Sequence, residues 1–221
     1  MAYLFIAALF VAVCGYLLGS NMTAIRIAGK KSVDIRECGS GNAGSTNILR
    51  TFGWKWGLLC LFSDCAKGAI AALIGHFVAL AGSKLGLFSE GFNSLFMCEG
   101  LLGAMLGHLL PIFHQFRGGK CVAVAIGGML VIAPVELAIG LAVGVILILI
   151  TKMVSVGSVT GAVIAGTLTV IANPKDTYLV LFSITLALVI ILTHIPNIQR
   201  ILSGNERRLG SIAWEGKEKG K

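Results

Sequence analysis

Hydrophobic residues run through this chain in long blocks, and polar residues are confined to the breaks between them. Apolar stretches fall at about 3–20, 54–81, 94–110, 122–150, 158–173 and 177–193. Blocks of this kind match the roughly 20 apolar residues an α-helix needs to cross a hydrocarbon core about 30 Å thick. The fourth block, 29 residues long, exceeds one such helix, since a rise of about 1.5 Å per residue would carry it about 43 Å. Pro134 divides it, because the residue before a proline is pushed out of the helical region. Helices are therefore predicted near 122–133 and 135–151. The first reaches only about 18 Å; it needs a thinned or protein-lined site, or stops short of spanning, and the same holds for 158–173. The pattern predicts an all-α fold, a polytopic integral membrane helical bundle of about seven helical segments, some of them short.

Composition agrees with that pattern and narrows it. The chain has 221 residues, 56% hydrophobic and only 13% charged, with a mean hydropathy of +0.89. Soluble domains are about 45–50% apolar and about 25% charged. Residues 1–210 read as a single membrane-embedded domain with no room for a separate soluble one, and 211–221 as a polar cytoplasmic tail. The opening block, Ala2 to Leu18, lacks a basic stretch before it and a small-residue cleavage site after it, so it reads as a retained first span rather than a signal peptide.

The net charge of +8 forms no basic groove interleaved with aromatics, which argues against nucleic acid as a partner. The cations instead follow the loops. With the N-terminus outside, the inner loops 21–53, 111–121 and 151–158 and the tail from 194 hold nearly all of them, and Lys84 and Lys175 are the only cations outside. The six cysteines are scattered, with no Cys-x-x-Cys pair and no metal-ligand spacing. They read as reduced, structural thiols, and no metal or cofactor is expected.

Four polar runs land on that inner face. The first, Ser40-Gly41-Asn42-Ala43-Gly44-Ser45-Thr46-Asn47-Ile48-Leu49-Arg50, packs glycines, hydroxyls and amides ahead of an arginine. Its composition fits a flexible connector, or a loop whose backbone amides, with Arg50 above them, hold an oxyanion. The second run extends from Gly107-His108 through Pro111 and Phe113 to Arg117-Gly118-Gly119-Lys120. Two cations around two glycines can converge on one anion; a loop that merely sets topology would explain the cations but not the glycines. This run is not a phosphate-binding Walker loop, because His114 stands where its first glycine should be and Cys121 where Ser or Thr should be.

The third run is His194-Ile195-Pro196-Asn197 with Arg200, followed by Gly204, Asn205 and Glu206. A three-residue spacing puts His194, Asn197 and Arg200 on one helical face, and Pro196 suits a first turn. The fourth, Ser155-Val156-Gly157-Ser158, reads as a hydroxyl-rich loop or helix cap. Inside the second span, Asp64 and Lys67 stand three apart, and a mutual ion pair is the favoured reading over a functional one. Glu99 and Glu136 have no partner evident in the sequence.

These runs, in this order, resemble the PlsY family of membrane acyltransferases. The family pattern of Ser-Gly-Asn-x-Gly-x-Thr-Asn-x-x-Arg, Gly-His-x-x-Pro-x-Phe with a later Gly-Gly-Lys, Ser-x-Gly-Ser, and His-x-x-Asn-Ile-x-Arg with Gly-x-Glu is met at 40–50, 107–120, 155–158 and 194–206. Asp64, Lys67 and Gly68 fit a further Asp-x-x-Lys-Gly. The departures are Ser45 for a common Ala, Arg117 for Lys, Cys121 for Gly, Val124 for Thr and an unusual 21–27 stretch.

The resemblance implies transfer of a fatty acyl group from acyl phosphate to the 1-hydroxyl of glycerol 3-phosphate, in a bacterial cytoplasmic membrane, with the site on the cytoplasmic face. It implies catalytic roles for Ser40, Lys120, His194 and Asn197. Substrate contacts are implied for Asn42, Gly44, Thr46, Asn47, Arg50, His108, Arg117, Gly118, Gly119, Ser155, Ser158 and Arg200. The expected partners are the two substrates, the lipid bilayer and the soluble enzyme that forms acyl phosphate. An activated anhydride needs no covalent nucleophile, only two anions held together and charge stabilised in the transition state. His194 is then either a general base or a donor to phosphate, with the cationic surroundings favouring the donor.

Other glycerolipid acyltransferases use a His-x-x-x-x-Asp pair, and the fifth residue after each histidine here is Ala81, Phe113, Gly119 or Gln199. That mechanism is excluded. A transporter of a small anionic solute or lipid remains the alternative, but it would place polar groups at mid-bilayer rather than on one face. A CDP-alcohol phosphotransferase would need clustered aspartates, and Asp34, Asp64 and Asp176 are widely separated.

Overall fold

The computed structural model describes residues 1–209; the predicted tail at 211–221 lies outside the described residues. Seven long or apolar helices make the bundle: α1 (Ala2–Gly19), α4 (Trp54–Lys84), α5 (Asn93–Leu109), α6 (Val122–Ile132), α7 (Pro134–Thr151), α8 (Val154–Ala172) and α9 (Thr177–Thr193). Three short helices gather at one end: α2 (Thr23–Gly29), α3 (Ser45–Phe52) and α10 (Ile195–Leu202). Among the described residues five helical stretches are long and apolar enough to cross a membrane, or six if α9 and α10, bent by 55°, are taken as one span.

Pro134 does divide the long apolar block, as the first residue of α7. The α6 segment before it has 11 residues, too few to span alone. The predicted short segment at 158–173 is corrected: α8 starts four residues earlier, at Val154, and at 19 residues is long enough to span. Ser155 to Ser158 therefore form its first turn rather than a loop. The unusual stretch at 21–27 proves to be helical, in α2.

Small residues set the helix spacing. Between membrane helices, association depends on close backbone approach rather than on expelling water. A Cβ on Gly15 or Gly19 of α1 would strike the backbone of α5 at Gly100 or Ala104, and one on Gly107 would strike Tyr16. The same interlocking joins Gly140 and Gly144 of α7 to Gly157 and Gly161 of α8. A buried core of Leu101, Met105, Val124, Met129, Phe182, Leu186 and Ile190 closes the middle of the bundle.

The intramembrane charges meet the favoured expectation. Asp64 and Lys67 form a buried ion pair at 2.8 Å. Lys67 also donates to the Asn21 carbonyl at 2.9 Å and to that of Gly19 at 3.4 Å. It thus caps the end of α1, whose last carbonyls have no acceptor role left inside the helix.

Candidate active site

At the end of the bundle where α1, α5, α7 and α9 finish, four cations surround one carboxylate. The carboxylate is Glu206, buried just past α10. Ser155 in the first turn of α8 donates to its Oε1 at 2.8 Å, and the Asn197 amide to the same oxygen at 2.6 Å. Arg200 holds Oε2 at 2.9 Å. The opposite side of the Asn197 amide, Oδ1, accepts from Lys120. The helical face expected for His194, Asn197 and Arg200 is therefore present, with Pro196 in the first turn of α10.

Arg50, at the last turn of α3, reaches the Arg207 carbonyl at 3.5 Å, and its buried Nε has no partner. Arg207 in turn donates to the Gly39 carbonyl at 3.0 Å, beside Ser40. Burial, reinforced by Arg200 and opposed by Glu206, lowers the Lys120 ammonium from its ordinary 10.5 to about 8. Burial, then Arg207, also lowers the Arg50 guanidinium. Burial pushes Glu206 up, but its hydrogen bonds from Asn197, Ser155 and Arg200 outweigh that and hold it below its ordinary 4.5. Four positive groups with one carboxylate already engaged leave a surplus suited to an anion.

His194 sits at the α9–α10 junction and is buried. Its Nδ1 lies 2.8 Å from the Ile190 carbonyl. A carbonyl only accepts, so Nδ1 carries the proton. Burial, assisted by Lys120 and opposed by the Ile190 bond and Glu206, lowers its pKa from 6.5. Near neutral pH the ring is uncharged, with a lone pair on Nε2.

Other expected site residues hold the loops. Asn47 is buried: its amide donates to the carbonyls of Ile35 at 3.1 Å and Cys38 at 2.9 Å, and its oxygen accepts the Ser40 amide at 2.9 Å. Both amide hydrogens are thus engaged in tying the 35–40 turn to α3, so Asn47 supports the loop from within. Gly119 donates its amide to the His108 carbonyl at 2.9 Å, so that amide is not free for an anion either. His108 is buried beneath Gly118 and Gly119. Arg117 is exposed and turned toward Asp34, whose carboxyl is lowered by Arg36 first and by Arg117 last; it does not join the cluster. Asn42, Gly44 and Thr46 are half-buried on the turn that opens α3. There the amides of Ser45 and Thr46 stand in the first helical turn, where no carbonyl of the helix precedes them.

Ser158 faces elsewhere, into an apolar groove between α6, α7, α8 and α9. Val122, Ile148, Gly157 and Ile190 line its end beside the cluster; Met129, Leu137, Ala165 and Leu186 lie deeper. Two participants went unassigned in the sequence reading. Glu206 stands in the sequence only as part of the last motif, and Arg207 only among the cations of the tail from 194. At Gly204, φ of +75° reverses the chain, returning Glu206 to α10 and Arg207 to the Gly39 carbonyl.

The glycerol-3-phosphate acyltransferase family model matches residues 9–204. This chain belongs to that family. A glycerol-3-phosphate acyltransferase of Chlorobaculum tepidum is 37% identical, over 91% of this chain and 96% of its own. The enzyme of Thermus thermophilus is 38% identical over 92% and 96%, and that of Clostridioides difficile 40% over 91% and 95%. The crystal structure of PlsY, an integral membrane glycerol 3-phosphate acyltransferase in its glycerol 3-phosphate form, superposes with a TM-score of 0.81 at 35% identity. It covers 92% of this chain and 96% of that one. Its lysophosphatidic acid form gives 0.78 over 92% and 95%, also at 35% identity. The chain is thus an integral membrane acyltransferase of the glycerol 3-phosphate family.

Proposed function

We propose that the chain transfers a fatty acyl group from acyl phosphate to the 1-hydroxyl of glycerol 3-phosphate, releasing lysophosphatidic acid and inorganic phosphate. The observation that carries this reading is the cation cluster of Arg50, Lys120, Arg200 and Arg207 at the mouth of an apolar groove. A substrate that is phosphate at one end and alkyl chain at the other fits both parts at once. The solved relatives carry glycerol 3-phosphate and lysophosphatidic acid in their named forms, which supports the acceptor and the product.

In this reading the hydroxyl oxygen attacks the acyl carbonyl, a new C–O ester bond forms, and the C–O bond to phosphate breaks with its electron pair leaving on phosphate. His194 Nε2 takes the hydroxyl proton. Lys120 and Arg50, with the α3 amides, stabilise the charge on the tetrahedral oxyanion and the departing phosphate. Ser40, Asn42, Gly44 and Thr46 shape the turn that presents those amides. The groove holds the acyl chain beside Ser158.

The same reading places the site on the cytoplasmic face of the bacterial inner membrane, with the N-terminus outside, because the inner loops carry the cations. Delivery of the donor from a soluble cytoplasmic enzyme is consistent with that orientation. The test is phosphate release from acyl phosphate by the purified protein in vesicles. Release that depends on glycerol 3-phosphate and needs no added metal supports the reading. Use of acyl thioester with no turnover of acyl phosphate refutes it.

A further inference from the structure

Gly118 and Gly119 are the two positions at which the loop carrying Lys120 crosses His108. The ring of His108 is buried, and its Nδ1 has no hydrogen-bond partner. A Cβ on Gly119 would drive into the imidazole, at Nε2 and Cδ2, and would come to 3.1 Å from the Ala43 carbonyl. A Cβ on Gly118 would instead drive into the backbone carbonyl of His108 and meet that of Leu109. The Gly119 amide closes the contact by donating to the His108 carbonyl at 2.9 Å. Beyond the glycines, Lys120 reaches Asn197, and Cys121 turns into α6 with φ of +66°. The chain therefore leaves His108, passes two residues and ends at the cation of the cluster, with little slack between.

We infer that His108 is a positioning residue: its imidazole and carbonyl form the seat on which Gly118–Gly119 rest, and that seat fixes where Lys120 meets the phosphate. Both glycines let the loop lie against the histidine, and the Gly119 amide is engaged by that contact rather than offered to the substrate. The inference rests on the reading of Lys120 as the phosphate-binding cation.

The consequence is an asymmetry between neighbouring glycines. Gly119→Ala clashes with a side chain, so shortening that side chain should relieve it. Gly118→Ala clashes with backbone, which no change at His108 removes. The experiment measures kcat and KM for glycerol 3-phosphate in Gly119→Ala, Gly118→Ala, His108→Ala and both double variants, with thermal unfolding to confirm folding. Gly119→Ala is expected to lose roughly thirtyfold or more in kcat/KM, and His108→Ala added to it to restore about tenfold, a coupling that contacting pairs show and distant ones do not. Gly118→Ala should stay as poor with His108→Ala as without it. His108→Ala alone should act mainly through KM, as a loosened phosphate contact would.

Losses at Gly119 and His108 that simply multiply would overturn the inference and put Gly119 in direct contact with substrate. Equal rescue at both glycines would overturn it as well. If His108→Ala does not fold, His108→Ser carries the same comparison, and absence of recovery there has the same force. Lys120→Ala separates the two levels. If it retains normal turnover, the reading of Lys120 fails; if it is inactive and rescue is still absent, only the seat is wrong.

Discussion

Asn197 donates its amide to Glu206 at 2.6 Å while its own oxygen accepts from Lys120. One buried amide thus joins the carboxylate of the cluster to a cation that the carboxylate does not touch. Because an ionised Glu206 can only accept, it fixes which way the Asn197 amide faces, and so presents an oxygen to Lys120. Glu206→Gln places an NH₂ group among donors and removes the charge that Arg200 pairs with. We expect kcat/KM to fall on the order of a hundredfold, about 2–3 kcal/mol, the scale of a lost charge-assisted bond. Near-normal kinetics in Glu206→Gln would mean that the amide orientation is set elsewhere. The same bonds give a pH signature. The folded pKa lies below 4.5, so their stabilisation is present above the unfolded pKa and is lost as pH falls through the folded value. Glu206→Gln should flatten thermal stability across that acid window.

Lys120 gives the opposite signature. Its folded pKa near 8 lies below its ordinary 10.5, so keeping it charged costs stability below about 8, and the cost fades as pH rises from about 8 toward 10.5. An anion favours the charged form and recovers that cost. Glycerol 3-phosphate should therefore raise the unfolding temperature more at neutral pH than well above pH 8, and its KM should climb through the same range. Lys120→Ala should abolish that limb and lower the rate on the order of a hundredfold. A KM independent of alkaline pH in the wild-type chain would place Lys120 away from the phosphate.

Much of the fold was legible because the bilayer enforces it. Long apolar blocks, a dividing Pro134 and the placement of cations are one-dimensional signals, and they led to the right helices. The start of α8 was misplaced because Ser155, Gly157 and Ser158 look like a loop. In the structure Ser155 bonds Glu206, and Gly157 lets α8 touch α7. The candidate site was legible as residue types but not as roles. Asn47 and Gly119 carry the chemistry of ligand contacts, yet each is engaged by backbone groups that only the folded chain brings near. Arg207 was hidden for the converse reason: a basic residue after the last helix looks like a topology signal until the turn at Gly204 returns it to Gly39.

The groove predicts chain-length selectivity that can be altered without touching the charges. Ala162 lies one helical turn beyond Ser158 on the groove wall. A phenyl ring there would fill part of the lumen while leaving the Glu206 network intact. Ala162→Phe should lower kcat/KM for a long-chain acyl phosphate roughly tenfold or more, since about two or three methylenes of burial are displaced at about 0.8 kcal/mol each. A short-chain donor should lose little. Equal losses for both donors would show that the acyl chain lies outside this groove.

For His194 the geometry favours the other of the two roles that the sequence leaves open. The cationic surroundings favoured a hydrogen-bond donor to phosphate, and His194→Gln would then keep much of the activity by keeping a donor. The geometry points the other way. With Nδ1–H engaged by the Ile190 carbonyl at 2.8 Å and the pKa below 6.5, the free nitrogen is an acceptor, able to take the proton of an attacking hydroxyl. Glutamine's amide is far too weak a base to do that. We expect His194→Gln to be as impaired as His194→Ala, each by about a hundred- to ten-thousandfold, the range of general-base contributions. The acid limb of the pH–rate profile, which should lie below 6.5 in the wild-type chain, should vanish in both. A His194→Gln enzyme that keeps most of its rate together with its acid limb would restore the donor role and leave the proton to the phosphate of the substrate.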